Sequence, residues 1–306
     1  MPDPALRHTW LVALHRSSHT GGAALSRTAM RDLLRQAATW RDWPLVLAIG
    51  AHLAATGGLD THETLHLVDA CRTLGQAEQA LALLRGLGAA DLPPGRAGLE
   101  AEIQSWRAWR RRFPALAPTA ELALEPLAHH HERDFAWQYH DPAIASLCCL
   151  PVFIDALDWH HWLADTWRDG HRLPYAVLHR EWGFIGCVSL ALHRDLGFFY
   201  YWLGRDFQGH GVGPRAGQLL LAMGERAFGL RCCYAKAFDY NLRSRRGLEK
   251  MGFVDLGMRG AGDDRNQVFY RRGPAQGRAR TVDELHRLLD SMDASVRPPR
   301  AAALAT

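Results

Sequence analysis

The sequence predicts an all-α region followed by an α/β domain, and three features of the chain point to this division. Across residues 26–112, apolar side chains recur at helical spacing in several successive segments. Residues 114–118 contain two prolines and are typical of a linker. After this point, runs of strand type alternate with helical segments, the pattern of a sheet flanked by helices. We therefore predict a helical domain over 1–115, an α/β domain over 119–273, and a C-terminal helix with a flexible tail over 274–306.

The composition excludes several classes of protein. Hydrophobic residues make up 48% and charged residues 22%, as in an ordinary globular chain. No apolar run approaches the roughly 20 residues that span a bilayer. The first four residues, Met-Pro-Asp-Pro, lack the layout of a signal peptide, so the sequence favours a cytoplasmic location. A net charge of +4 is small for this length and does not indicate a nucleic-acid partner.

The all-α region divides into short helices with recognisable ends. Ser26 is a candidate N-cap, Pro44 suits a first helical turn, and Asp60 or Thr61 can cap the third helix. Residues 74–81 resemble the start of the second helix of a tetratricopeptide repeat, a fold that presents a groove to peptides. A plain helical bundle fits the pattern equally well. The predicted helices are 26–41, 44–56, 62–74, 76–87 and 96–112.

The second domain is predicted to contain seven strands. They are expected at 121–127, 175–179, 183–192, 196–203, 231–238, 253–258 and 267–271. Helices are expected at 141–169, 214–228, 242–251 and 282–292, and a tail rich in Pro and Ala follows them.

Neither the cysteines nor the histidine clusters predict a metal site. The six cysteines contain no Cys-x-x-Cys pair, and adjacent cysteines on a strand point to opposite faces. The runs at 129–132 and 160–161 lack the His-Glu-x-x-His spacing of zinc enzymes. We interpret the histidines as belonging to a solvated or partly buried helix face.

A glycine-rich turn carries the clearest chemical signal. Gly209, Gly211 and Gly213 lie between a predicted strand and a predicted helix. Glycines let the backbone approach an anion, and the N-terminus of the next helix directs free N–H groups at it. The turn lacks Gly-Lys-Ser/Thr, which excludes a nucleotide-hydrolysing P-loop. It also follows several strands, with no acidic residue placed for a ribose, which argues against a dinucleotide fold.

Two motifs together resemble a known family. Gln208-x-x-Gly211-x-Gly213 resembles the acyl-coenzyme A pyrophosphate loop of the GNAT N-acetyltransferases. The preceding Tyr-Trp-Leu at 201–203 looks like the fourth strand of the subgroup that acetylates ribosomal proteins. Downstream, Asn241, Ser244 and the run 248–253 are similar to the second signature of the family. The resemblance covers roughly residues 120–272.

The resemblance implies a mixed, strongly twisted sheet whose fourth and fifth strands splay apart to admit an acyl-CoA thioester. It implies acetyl-CoA or a longer acyl-CoA as the donor substrate, and no metal. The residues expected to contact this donor are Leu203, Gln208, Gly209, His210, Gly211, Val212, Gly213, Pro214, Arg215, Asn241 and Ser244.

The chain departs from the family at two catalytic positions. Many members have a tyrosine acid just before Glu-Lys-x-Gly-Phe, where this chain has Leu248. The ribosomal-protein subgroup often has a glutamate on the fourth strand, where this chain has Phe198. Ser244 is the nearest replacement for the acid, whereas the tyrosines at 200 and 201 are more typical of core or pocket wall.

The general base is open on the sequence alone. His193, Asp195 and Asp239 are the candidate side chains, and a chain of water molecules is the alternative.

The additional helical domain is the main indication of the acceptor. A repeat-like groove suits a peptide or protein, so the sequence favours acylation of an amine on a polypeptide. The aromatic fourth strand and the tryptophans at 159–167 are consistent with an apolar pocket for a longer acyl chain, or simply with core. Acetylation of a small amine is a second possibility, and an acyl-CoA-binding sensor or scaffold without turnover is a third.

Overall fold

A computed structural model describes residues 26–88, 92–93, 96, 98–113, 115–116, 119, 121–148 and 150–292. The predicted tail after residue 292 and part of the predicted linker lie outside the described residues. The chain divides into two compact units. The first ends at Ala108 and also contains Ala128–His130, whereas the second takes Trp109–Leu127 and resumes at His131. The roles assigned to the domains from sequence stay predictions.

The first unit confirms the predicted all-α region. Ser26 caps α1 by accepting a hydrogen bond from the Ala29 N–H at 3.2 Å. Asp60 and Glu63 form a reciprocal capping box at the start of α3. Buried apolar side chains of α1, α2 and α3 form one core cluster. The helices are α1 (Arg27–Thr39), α2 (Trp43–Gly57), α3 (Thr61–Thr73), α4 (Ala77–Arg85) and α5 (Leu99–Arg112), the last ending in the second unit.

The second unit is built on a seven-stranded sheet, which confirms the predicted mixed α/β fold. The strand order is β1-β2-β3-β4-β5-β7-β6. β4 and β5 run parallel, and the other neighbouring pairs are antiparallel. The strands are β1 (Leu122–Pro126), β2 (Arg172–His179), β3 (Gly183–His193), β4 (Leu196–Leu203), β5 (Cys232–Phe238), β6 (Val254–Arg259) and β7 (Gln267–Arg272).

One predicted helix was wrong. The sequence pattern favoured a continuous helix over 141–169, but the structure has α7 (Pro142–Ala145), a non-helical segment, and α8 (Ala156–Asp169). Pro151 lies in the interruption, where it lacks an N–H and disfavours helix in the residue before it. Asp155 then begins α8 by accepting bonds from two first-turn N–H groups. An unexpected helix, α6 (Glu132–Tyr139), precedes α7.

Helices cover both faces of the sheet. α9 (Val212–Phe228) packs so closely on one face that a Cβ at Gly217 would lie 2.9 Å from the Phe199 ring. α11 (Arg278–Ser291) packs on the other face in a buried cluster with Phe198, Tyr234 and Phe269. We call these the α9 face and the α11 face. The remaining helix, α10 (Leu242–Lys250), follows β5.

A buried carboxylate attaches α11 to the sheet. Glu284 is 2% exposed and accepts hydrogen bonds from Arg231, Gln276 and Arg280. Burial alone would raise the pKa of Glu284, but these donors outweigh it and lower the pKa to about 2. The group therefore stays ionised as a structural anchor. Among the described helices, none is both long and apolar enough to cross a membrane.

Candidate active site

The two central strands separate and leave a cavity between them. β4 and β5 are paired only from Leu196 to Phe199 on one strand and from Cys232 to Ala235 on the other. Beyond this point both strands continue unpaired with each other. Residues 198–203 and 236–238 line a cavity of about 620 Å³. Its volume is within the range of small-molecule sites.

The cavity opens on both faces of the sheet. Successive side chains on a strand point to opposite sides, and the register assigns each to a face. Phe199 and Tyr201 project to the α9 face, next to α9 and α10. Ser189 lies opposite Tyr200 across the β3–β4 pair, and both project to the α11 face. The gap therefore connects a chamber on the α9 face with a chamber on the α11 face.

The glycine turn lies at the mouth of the gap. Gly209 and Gly211 have φ values of +91° and +73°, in the left-handed region that favours glycine. Gly211 caps α9 without a side chain, and the third residue of that helix is Pro214. The first-turn N–H groups of α9 are therefore directed at the turn, which is the arrangement of an anion site. Gly213 is required for a different reason, because a Cβ there would lie 3.0 Å from the Tyr201 ring.

Two amide side chains hold the mouth together. Gln208 donates from Nε2 to the Leu203 carbonyl oxygen at 3.0 Å, and its Oε1 accepts from Arg243 at 3.2 Å. Asn241 caps α10 by accepting from the Ser244 N–H at 3.1 Å. The loop, the end of β4 and the start of α10 are thus linked directly.

A tyrosine from β4 reaches the second signature on α10. The hydroxyl of Tyr201 lies close enough to the side chain of Ser244 for the serine to affect its pKa. A Cβ at Gly247 would clash with the same tyrosine hydroxyl, so the absence of a side chain at Gly247 leaves the space that the hydroxyl occupies. Burial raises the pKa of Tyr201, and Ser244 opposes the shift. The phenol therefore keeps its proton at neutral pH.

Most of the residues expected at the donor site line the cavity. The lining includes Leu203, Gln208, Gly209, Gly211, Val212, Gly213, Pro214, Asn241 and Ser244. His210 and Arg215 are outside it. His210 packs against the Trp182 ring, and Arg215 pairs with Glu121 at 2.9 Å, which lowers the pKa of that carboxyl.

The structure does not bring the candidate bases to the cavity. His193 lies opposite Leu196, at the end of β4 remote from the gap. Asp195 accepts from Arg231 at 2.7 Å, which lowers its pKa. Asp239 pairs with Arg259 at 2.6 Å. None of the three lines the cavity.

The charges around the cavity have one sign. Among the described residues that line it there is no Asp, Glu or His. The charged lining residues are Arg172, Lys236, Arg243, Arg246 and Lys250. The cavity therefore suits anionic and acyl groups, and its described lining offers no carboxylate or imidazole base.

Sequence reasoning missed three of these features and considered Tyr201 only as core or pocket wall. Lys236 is one of only two lysines in the chain and interrupts an apolar strand, which is a signal of function. Gly247 inside α10 costs helix stability, on the order of 1 kcal/mol relative to Ala, and so indicates a packing reason. Ser189 and Tyr201 carry no comparable local signal.

The gap between β4 and β5, with the glycine turn at its mouth, falls within the part of the chain that matches a known family. Residues 121–254 match the family model of the acetyltransferase (GNAT) domain. The match to the GNAT acetyltransferase domain is confined to these residues, and a helical extension precedes it. No curated protein sequence matches the chain.

Several solved structures are similar to about half of this chain. One is the Salmonella typhimurium acetyltransferase that modifies the N-terminal serine of ribosomal protein L7/L12, with 18% identity over 53% of this chain and 100% of that one (TM-score 0.47). A second is the microcin C7 self-immunity acetyltransferase in complex with acetyl-CoA and AMP. It has 18% identity over 52% of this chain and 98% of that one, with a TM-score of 0.46. A third is spermidine N-acetyltransferase from Vibrio cholerae in complex with CoA and spermine. It has 18% identity over 50% of this chain and 94% of that one, with a TM-score of 0.45.

Proposed function

We propose that the chain is an acyl-CoA-dependent N-acyltransferase that modifies an amine on a peptide or protein. The observation that carries this proposal is the cavity in the β4–β5 gap, which joins the anion-binding turn to chambers on both faces of the sheet. A donor with a charged end and a long thin arm fits a loop that leads into a gap. An acceptor can then approach from the opposite face. This geometry favours direct transfer in a ternary complex.

The donor would lie along the turn and the start of α10. The pyrophosphate would accept hydrogen bonds from N–H groups at Gly209, Gly211 and Gly213. Arg243 and Arg246 line the cavity close to this loop and would balance phosphate charge. The pantetheine arm would pass Asn241 and enter the gap.

The chemistry would need few groups from the protein. The amine nitrogen forms a bond to the thioester carbonyl carbon, and the carbon–sulfur bond then breaks. A main-chain N–H of the unpaired part of β4 would stabilise the oxyanion. We assign the hydroxyl of Tyr201, which lies beside Ser244, as the group that donates a proton to the departing thiolate. Because none of the described lining residues is a carboxylate or an imidazole, the amine would lose its proton to water.

The acceptor and the acyl group are proposed from features outside the donor site. The proposal takes the helical unit as a second surface on which a peptide docks, and this favours a polypeptide acceptor. The aromatic side chains of Phe198, Trp202 and Trp162 line the cavity and would also accommodate an acyl chain longer than acetyl. A cytoplasmic location is consistent with these substrates.

The test measures thiol release from acetyl-CoA and longer acyl-CoAs against a peptide mixture and against small amines. We expect release that depends on a peptide. Release only with small amines would instead indicate an enzyme that acylates small molecules. Tight CoA binding with no acceptor-dependent release would contradict the enzyme and favour a sensor.

Substitution of the loop tests the donor site separately. In Gly211→Leu we expect CoA affinity to fall at least about tenfold, because the side chain strains a left-handed position and blocks the anion. Gly229→Leu is the matched control, since Gly229 has φ +65° at the other end of α9 and an open surrounding. Equal CoA affinity in the two variants would contradict the loop assignment.

A further inference from the structure

The chamber on the α11 face has a lysine without a counter-charge. Lys236 lies opposite Phe269 across the β5–β7 pair, and Phe269 belongs to the buried cluster under α11. Its side chain therefore projects to the α11 face, and the residue lines the cavity. Within the described parts of the chain, no carboxylate forms an ion pair with it. A half-buried ammonium group without an anion is unfavourable unless a ligand supplies the charge.

A second polar group in the same chamber lacks a partner. Ser189 is 4% exposed and lines the cavity, and its Oγ has no hydrogen-bond partner among the described residues. Buried hydroxyl groups are almost always hydrogen-bonded in folded proteins. An unpartnered hydroxyl that faces a cavity therefore indicates a polar ligand group at this position.

The two groups are placed for one molecule. Ser189 lies opposite Tyr200 on β4, and Lys236 follows directly after the last β5 residue that pairs with β4. Two paired-strand spacings amount to about 10 Å, and β4 and β5 have separated at this point, so Ser189 and Lys236 lie at least about this far apart across the gap. A compact amine does not span this distance, whereas a short peptide or an extended polyamine does.

The sign of the charge excludes polycationic acceptors from this chamber. Lys236 and Arg172 line it, and Arg172 is already paired with Asp169 at 2.9 Å. A polyamine would bring further positive charge to a cavity whose described lining has no carboxylate. An acceptor with an anionic group would instead be attracted to the positive charge of Lys236.

We propose that the acceptor amine is carried by an acidic peptide, whose side-chain carboxylate pairs with Lys236 while a peptide group near the amine binds the hydroxyl of Ser189. The inference rests on the proposed function and specifies the substrate of the same site. It makes Lys236 a specificity-determining residue. Since the pair is only partly buried, its effect should weaken at high salt.

The experiment compares peptides that differ in one group. Acetyl-CoA is the donor, and the acceptors are short peptides identical except for Glu or Gln beside the amine. We expect kcat/KM to be about tenfold higher for the Glu peptide, the effect of one partly buried charge pair. In Lys236→Gln the preference should disappear, and in Lys236→Glu it should reverse in favour of a peptide with Lys at that position. Arg226→Gln removes the same charge from an exposed position on α9 and should keep the preference.

Each outcome decides the inference. Equal rates for the Glu and Gln peptides in the unmodified protein, or an unchanged preference in Lys236→Gln, would overturn it. Faster acylation of free glutamate than of the Glu peptide would overturn the peptide as the source of the carboxylate. CoA affinity measured for each variant shows that the fold is intact. Failure of the unmodified protein to acylate any peptide would count against the proposed function instead.

Discussion

Tyr201 and Gly247 form a complementary pair across the cavity. The tyrosine is on β4 and the glycine on α10, and the missing side chain of one leaves space for the hydroxyl of the other. The family-like position for a tyrosine acid holds Leu248, which is 2% exposed and part of the core. The proposed acid thus reaches the thioester from a strand and not from the helix.

Removal of the Tyr201 hydroxyl should slow acyl transfer without weakening donor binding. In Tyr201→Phe we expect kcat to fall about 100-fold, the lower range for loss of a general acid, because CoA thiolate is a tolerable leaving group. In Gly247→Ala the new methyl group displaces the hydroxyl, so a similar loss is expected. The double variant should be no slower than Tyr201→Phe alone, since the two changes remove the same interaction. Steady-state kinetics and CoA titration provide both quantities.

Tyr240→Phe is the control for this series. Tyr240 is 60% exposed, stacks on Phe238 and is not part of the cavity lining, so its variant should retain kcat. A kcat for Tyr201→Phe equal to that of the unmodified protein would show that Tyr201 only fills space.

At the scale of elements, a buried polar network joins α3, α5 and the turn at 129–131. Glu102 is its centre: this carboxylate accepts a hydrogen bond from Arg72 at 2.9 Å and lies 3.0 Å from His129 Nε2. Burial lowers the pKa of His129 to about 4, although Glu102 opposes the shift. Burial would raise the pKa of Glu102, but His129 and Arg72 outweigh it and lower that pKa. The histidine is therefore neutral in the folded protein.

This network should make the protein less stable in acid. In the unfolded chain His129 takes up a proton near its ordinary pKa of 6.5. In the folded chain the same histidine takes up a proton only near its lowered pKa of about 4. Stability is therefore lost as pH falls from 6.5 towards 4, by up to on the order of 2 kcal/mol from this group. Urea unfolding at pH 7.5, 5.5 and 4.5 measures it. His129→Gln retains a donor to Glu102 and removes the titration, so its unfolding free energy should depend less on pH. Identical pH dependence in the two proteins would refute the assignment.

At the scale of the whole molecule, the boundary between the two units falls within α5. The aromatic rings at the end of this helix belong to the second unit, where Trp109 lies 6.5 Å from Trp167 and Phe113 lies 5.3 Å from Phe228, measured between ring centroids. A truncation that separates the two functions must keep these rings.

A chain that begins at Gly98 tests the role of the helical unit. We expect it to bind CoA with an affinity similar to that of the full chain, because all residues of the proposed donor site are retained. Acylation of peptides should fall strongly if the helical unit docks the acceptor. Circular dichroism and CoA titration establish that the shortened chain is folded. Peptide acylation at the full rate would remove the docking role.

The sequence by itself determined the order of the strands, the order of most helices and the position of the anion-binding turn. These features are local, since periodicity, N-caps and glycines at positive φ depend on neighbouring residues. The continuous helix expected at 141–169 was a wrong prediction for a local reason as well. The apolar pattern favoured helix across Pro151, a residue that disfavours it.

Only the tertiary structure decided which side chains share the cavity. Ser189, Tyr201, Lys236 and Gly247 come from three strands and a helix, and their meeting depends on strand register and on the point at which β4 and β5 separate. It also placed His193 and Asp239 outside the site, although their residue types suit a base. Register and divergence arise from contacts between segments distant in the chain, and no local pattern encodes them.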